Sequence, residues 1–243
     1  VQHGIAASSG ANGLQGVGLD GEPRFDAAVR RTSLAFLGMM QLMRAAAALP
    51  PGDALADADQ RVLLHGVSWQ HFLDVLAARG DGSAVRMTYL TGELELRSPS
   101  FSHETIKTTL GRLVEAYAGE LGLDLYGAGS WTLKSKLKKL GIEPDECYSL
   151  GKPSRVPDLA IEVVWTSGGL DKLEVYRGLG VREVWVWKEG RLGAYLLRGD
   201  RYVRAARSRL LPGIDLALVA RLSARPDQPG AVRELRAELR RER

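Results

Sequence analysis

The sequence predicts an α/β (α+β) chain, and three stretches carry that prediction. Residues 143–187 read as strand, loop, buried strand, helix, buried strand, with 159–165 almost entirely apolar and β-prone, the pattern of a central strand covered on both faces. Around Thr91-Gly92, RMTYL and ELELRS read as the two arms of a hairpin. Between these lies a helical stripe, Ile106, Leu110, Leu113, Tyr117 and Leu121.

In chain order, residues 1–22 are rich in Gly, Ala and Ser and are expected to be disordered, and the whole of 1–52 reads as a disordered or non-native extension. The chain opens on Val1 with Met39, Met40 and Met43 downstream, which admits one of those methionines as the true start. Residues 53–60 read as a polar linker. A helix over 68–79 follows from Trp69, Phe72, Leu73 and Leu76, with Ser68 as N-cap, Gly80 as stop and His71 facing solvent. After the hairpin, whose Glu93, Glu95 and Arg97 form one polar face, the long helix is expected to start at Ser102 and stop at Gly122. Residues 124–133 read as one strand, and KSKLKK as a solvated lysine loop or a phosphate contact. Strands over 181–187 and 192–198 form a hairpin turning at Glu189-Gly190, with Tyr202-Val203 extending the sheet. The tail 224–243 reads as a short charged helix.

At 243 residues, 45% apolar and 26% charged, the chain can bury one substantial core with an appendage. The net charge of +4 is compatible with a polyanionic partner but does not require one. Cys147 is the sole cysteine, so an intrachain disulfide and a cysteine metal cluster are both excluded, and a reducing cytoplasm fits. No uncharged apolar run is long enough to cross a membrane. The nearest, 34–49, is interrupted by Gln41 and Arg44; preceded by Arg30-Arg31, it resembles a secretory signal but begins too far into the chain.

Glu162 interrupts the central strand, and a buried carboxylate costs several kcal/mol, on the order of a lost ion partner, unless a metal or cation compensates it. Asp145 on the preceding strand can lie beside it. Asp158, four residues away along the same strand, stands about 13 Å off and is expected to bond at the strand's entrance instead. A divalent ion would then be held by Asp145, Glu162 and the Val163 carbonyl, with waters completing an octahedron; Mg²⁺ or Mn²⁺ suits such hard oxygen donors. Lys172 falls on the packing stripe of its helix with Val175, Tyr176 and Leu179, in a first turn whose dipole repels it. Pairing with a buried carboxylate or a phosphate offsets both costs; a snorkelling lysine is the plainer alternative. His103 lies at the stripe's edge, either bonded to backbone or available for proton transfer, and Glu104 reads as complementing the helix dipole, with reach to a metal as the alternative. Two carboxylates and a lysine around a sheet point to a magnesium-dependent phosphodiesterase.

The pieces RMTYLTGELELRSPSFSHE, GIEPDE and PDLAIEVVWTSGGLDKLEVYRGLGVREVWVW, in that order between about Val62 and Leu211, resemble the Uma-type restriction endonuclease family, a branch of the PD-(D/E)xK nucleases. The resemblance implies a restriction-endonuclease-like mixed β-sheet flanked by helices over residues 53–223 and divalent-metal cleavage of nucleic acid. It makes Asp145 the motif's aspartate and Glu162 its second carboxylate. The superfamily's lysine position is Val164 here, and Lys172 on the adjacent helix would supply the charge from a migrated position, with His103 assisting in proton transfer. The alternative is a nuclease fold without activity that binds nucleic acid or regulates. A two-carboxylate glycosidase is opposed by the lack of an aromatic sugar cleft around these acids. DNA against RNA, the target, and a homodimer are left open by the residues.

Overall fold

The computed structural model describes residues 57–80, 84–165 and 168–241, so the expectations for residues 1–52 lie outside the described residues. Hairpin chemistry sets the first sheet. Thr91 and Gly92 both take positive φ, 43° and 111°, which matches the twist of a two-residue turn. The turn joins β2 (Arg86–Leu90) to β3 (Glu93–Ser98). With β1 (Gln60–Leu64), β5 (Leu133–Ser135) and β6 (Leu140–Ile142) they form an antiparallel sheet ordered β1-β3-β2-β6-β5.

The second sheet holds β4 (Leu125–Gly127), β7 (Glu146–Leu150), β8 (Leu159–Val164), β9 (Glu183–Lys188), β10 (Arg191–Arg198) and β11 (Arg201–Ala205), in the order β11-β10-β9-β8-β7-β4. It is mixed: β8 and β9 run parallel and the other pairs antiparallel. A parallel pair needs a crossover, supplied by helix α3 (Lys172–Leu179), following α1 (Trp69–Arg79) and α2 (Phe101–Leu121) in the chain. Gly178 lets α3 settle on β6, because a Cβ there would stand 2.1 Å from Leu140 Cδ1.

The two faces of this sheet divide by strict alternation. Leu159, Ile161 and Val163 of β8 pack with Leu110, Leu113 and Tyr117 of α2, and with α4 (Leu216–Ser223) and α5 (Gln228–Arg241) through Val219 and Leu235. Ala160 faces the other way, with Val175 and Tyr176 of α3 and Ile142 of β6. Each such aliphatic side chain contributes about 1.5–3 kcal/mol on full burial. The fold is therefore α+β, a mixed sheet flanked by helices.

Several local expectations are corrected. The cap of α2 is Ser100, whose Oγ accepts from His103 N at 3.2 Å, not Ser102, which lies inside the first turn. The segment 124–133 is two strands, β4 and β5, in different sheets, parted by a turn at Gly129 (φ 54°). The lysine run is part strand: Lys134 belongs to β5, and only 136–139 turn. The tail helix α5 is not merely solvated; Ala231 and Leu235 are buried, while Arg236 and Arg240 pair with Glu120 of α2.

Candidate active site

The pairing of β7 with β8 sets Glu146 opposite Ile161, and one step back in the same register sets Asp145 opposite Glu162. Both carboxylates are buried. Asp145 Oδ2 accepts from Val163 N at 2.8 Å. From α3, Lys172 Nζ donates to Glu162 Oε2 at 2.5 Å, and the Tyr176 hydroxyl donates to Glu162 Oε1. Lys172 and Tyr176 are four apart on one helical face, so a single helix delivers both donors. Asp158 lies at the strand's entrance, accepting from Leu150 N and Arg182, away from this pair. Glu104 is partly exposed and pairs with Lys107.

Three further residues complete the cluster. Arg97 of β3, expected on an open polar face, is buried because the second sheet covers that face. Its Nη2 lies 2.7 Å from Asp145 Oδ1 and 3.8 Å from Glu162 Oε2; its Nη1 lies 3.3 Å from the Val163 carbonyl and 3.6 Å from Asp59 Oδ2. Asp59, expected in a linker, is also buried and accepts from Ser100 N. His103 is fully buried between two carboxylates, Nδ1 2.9 Å from Asp59 Oδ2 and Nε2 3.1 Å from Asp145 Oδ2, rather than bonded to backbone. Three carboxylates thus face Arg97, Lys172 and His103.

Burial opposes the ionisation of Asp145, yet the charge of Arg97, then His103 and Lys172, outweighs it and holds the carboxyl well below the usual range. Burial pushes Glu162 the other way; Lys172 draws it back, but Asp145 adds to the rise, and its carboxyl sits above the usual value. Burial also disfavours charged His103, while its contacts with Asp145 and Asp59 raise its pKa. Two adjacent carboxyls pushed in opposite directions are a mark of a functional site.

A cavity of about 210 Å³ opens beside the cluster, lined by Arg97, Glu162, Lys172, Arg61, Glu95 and Leu170 among others. Glu95 is buried, accepts from Leu170 N at 2.9 Å and pairs with Arg61 at 3.5 Å. Gly169 (φ 96°) is required there, since a Cβ would stand 2.1 Å from Glu95 Oε2.

Would a divalent ion suit these residues? The expected ligands all face one guanidinium, Asp145 Oδ1 and Glu162 Oε2 at 2.7 and 3.8 Å from Arg97 Nη2 and the Val163 carbonyl at 3.3 Å from Nη1, and all are hard oxygens. In kind they fit; the cation at their focus is the Arg97 guanidinium. Among the described residues no group of three His, Cys, Asp or Glu side chains is arranged to hold a metal.

Asp59 and Arg97 escaped the sequence reading for a physical reason. Arg97, alternating with leucines on a strand, reads as solvent-facing, and Asp59, in a polar segment, reads as linker; only contacts far along the chain reverse either. The signal available was Arg97 at the end of an arm whose next residues open a helix carrying His103.

The fold and the motif order define a chain of the restriction-endonuclease-like class. The family model Uma2, described as "Putative restriction endonuclease", matches residues 69–224, most of the chain, and the chain belongs to that family. A solved structure described as "a putative nuclease belonging to DUF820" from Anabaena variabilis ATCC 29413 is similar over 65% of this chain and 99% of its own, at 10% identity and a TM-score of 0.46. Comparison with curated proteins gives no match.

Proposed function

We propose that this chain is a divalent-metal-dependent endonuclease that hydrolyses phosphodiester bonds in DNA, acting in the cytoplasm. The observation that carries the reading is the convergence of Asp145 Oδ1, Glu162 Oε2 and the Val163 carbonyl on one cationic position next to the Lys172 ammonium. Mg²⁺ or Mn²⁺ bound there would draw charge from a phosphate oxygen and make water a stronger nucleophile. The remaining work belongs to the protein. Tyr176 fixes one oxygen of Glu162, and Lys172 at the cavity wall offsets charge growing on the phosphate's non-bridging oxygens. Asp59 orients His103, and His103 holds Asp145; with no exposed surface, His103 is assigned this positioning role in place of proton transfer to substrate.

The test is cleavage of supercoiled plasmid, and of single-stranded RNA, by the purified chain with Mg²⁺ or Mn²⁺ and with a chelator. Nicking of plasmid that the chelator stops is the expected result. Cleavage of RNA alone would move the substrate assignment. Cleavage of neither, with retained binding to DNA, would replace this reading with the inactive nucleic-acid-binding one, which Arg97 at the cation position and Val164 at the usual lysine position favour.

A further inference from the structure

The oxygens assigned above to a metal already have a cation. Arg97 does not grip one carboxylate with a fork; it spreads two nitrogens over acceptors from three carboxylates and one carbonyl, at 2.7 to 3.8 Å. That arrangement has the form of a coordination sphere with a guanidinium at its centre. Elsewhere in the chain Arg79 shows how a purely structural pair looks, with both terminal nitrogens on the two oxygens of Glu143 at 2.6 Å. We infer that Arg97 is a built-in competitor for the metal: the guanidinium and a divalent ion are alternative occupants of one position, and the departure of Arg97 sets the metal affinity of the chain.

The inference rests on the metal reading above and deepens it. Arg97 Nη2 lies 2.7 Å from Asp145 Oδ1 and 3.8 Å from Glu162 Oε2, where an ion shared by these oxygens would sit, and the two cations repel, so the binding of one displaces the other. Arg97 has somewhere to go. It borders the cavity of about 210 Å³, whose wall also carries the carboxylate of Glu95 two residues back on the same strand face. Asp59, outside the assigned ligand set, keeps a hold on the guanidinium from the side. Resting protein therefore remains neutralised without metal, and metal enters only by displacing an internal ion.

Calorimetric titration with Mn²⁺ of the full chain, of Arg97→Met and of Arg97→Lys tests this, with DNA absent. Arg97→Met is expected to bind Mn²⁺ at least about tenfold more tightly than the parent, the loss of one competing charge-assisted hydrogen bond. Arg97→Lys, which keeps the charge but not the two-nitrogen reach, should fall between them and serves as the comparison if the methionine variant does not fold. Adding Glu162→Gln to Arg97→Met should abolish the gain. Equal affinity in parent and variants overturns the competition while leaving the metal site standing. If neither the parent nor either Arg97 variant binds Mn²⁺, the metal reading itself fails and the inference with it.

Discussion

The motif EPDE carries two buried acids two residues apart, and each meets an arginine, partly buried Arg79 for one and buried Arg97 for the other, yet the two sites differ in kind. Glu143 is matched one to one. Arg79 covers both its oxygens, Thr132 and Met87 N supply the remaining donors, and nothing is left to do. Asp145 shares Arg97 with Glu162 and Asp59, and the excess acid is met by Lys172 and His103 beside a cavity. A saturated pair holds a fold, whereas a crowded set of charges can exchange partners. The difference lies in stoichiometry, since both pairs border a cavity.

That contrast can be broken most forcefully at Glu143. Removing its charge leaves the partly buried Arg79 without a counter-charge, so Glu143→Gln is expected to cost about 3 kcal/mol of stability, read by urea denaturation. Glu162→Gln should cost less, because Asp145 and Asp59 still face Arg97 and Lys172 borders the cavity. Comparable losses at the two positions would erase the distinction. Next comes Lys172→Met, for which cleavage should fall about 10²–10³-fold while the melting temperature and DNA affinity stay near the parent's. A large stability loss would make Lys172 another Arg79.

Gly178→Ala sharpens the placement of α3, which presents Lys172 and Tyr176 to Glu162. The added methyl meets Leu140, and a loss of about 1–3 kcal/mol is expected, accompanied by slower cleavage. Cys147, two residues after Asp145 and on the same face of β7, gives the mildest effect. Burial, helped by Glu146, pushes its thiol up to about 12, so an aromatic disulfide reagent should leave it untouched at pH 8 in native protein and modify it in urea. Because the native thiol titrates above its ordinary value of 9.0, its contribution to stability is full below pH 9 and lost as the pH rises toward 12. Rapid native labelling at pH 8 would show that this side of the site is open.

The sequence disclosed the half of the site that lies on contiguous chain. Asp145, Glu162 and Lys172 share the stretch 143–187, where a carboxylate breaks an apolar run and a lysine breaks an apolar helix face. Such local contradictions are visible without a structure. Asp59 and Arg97 contradict nothing locally: one sits in a polar segment, the other alternates with leucines as a surface residue would. Arg97 is buried against the second sheet and Asp59 against Ser100, His103 and Arg97, both nonlocal events. The same cause split 124–133, because the choice between two sheets for β4 and β5 is made by partners far along the chain.

The central claim is that Asp145, Glu162 and the Val163 carbonyl form one cation position that an arginine holds until a metal takes it. A crystal of the chain soaked in Mn²⁺, with anomalous data collected at the manganese edge, tests it most directly. The account predicts an anomalous peak bonded to Asp145 Oδ1 and Glu162 Oε2, with the Arg97 guanidinium moved off both. A crystal with Arg97 still seated on Asp145, and no manganese between the two carboxylates, would contradict it.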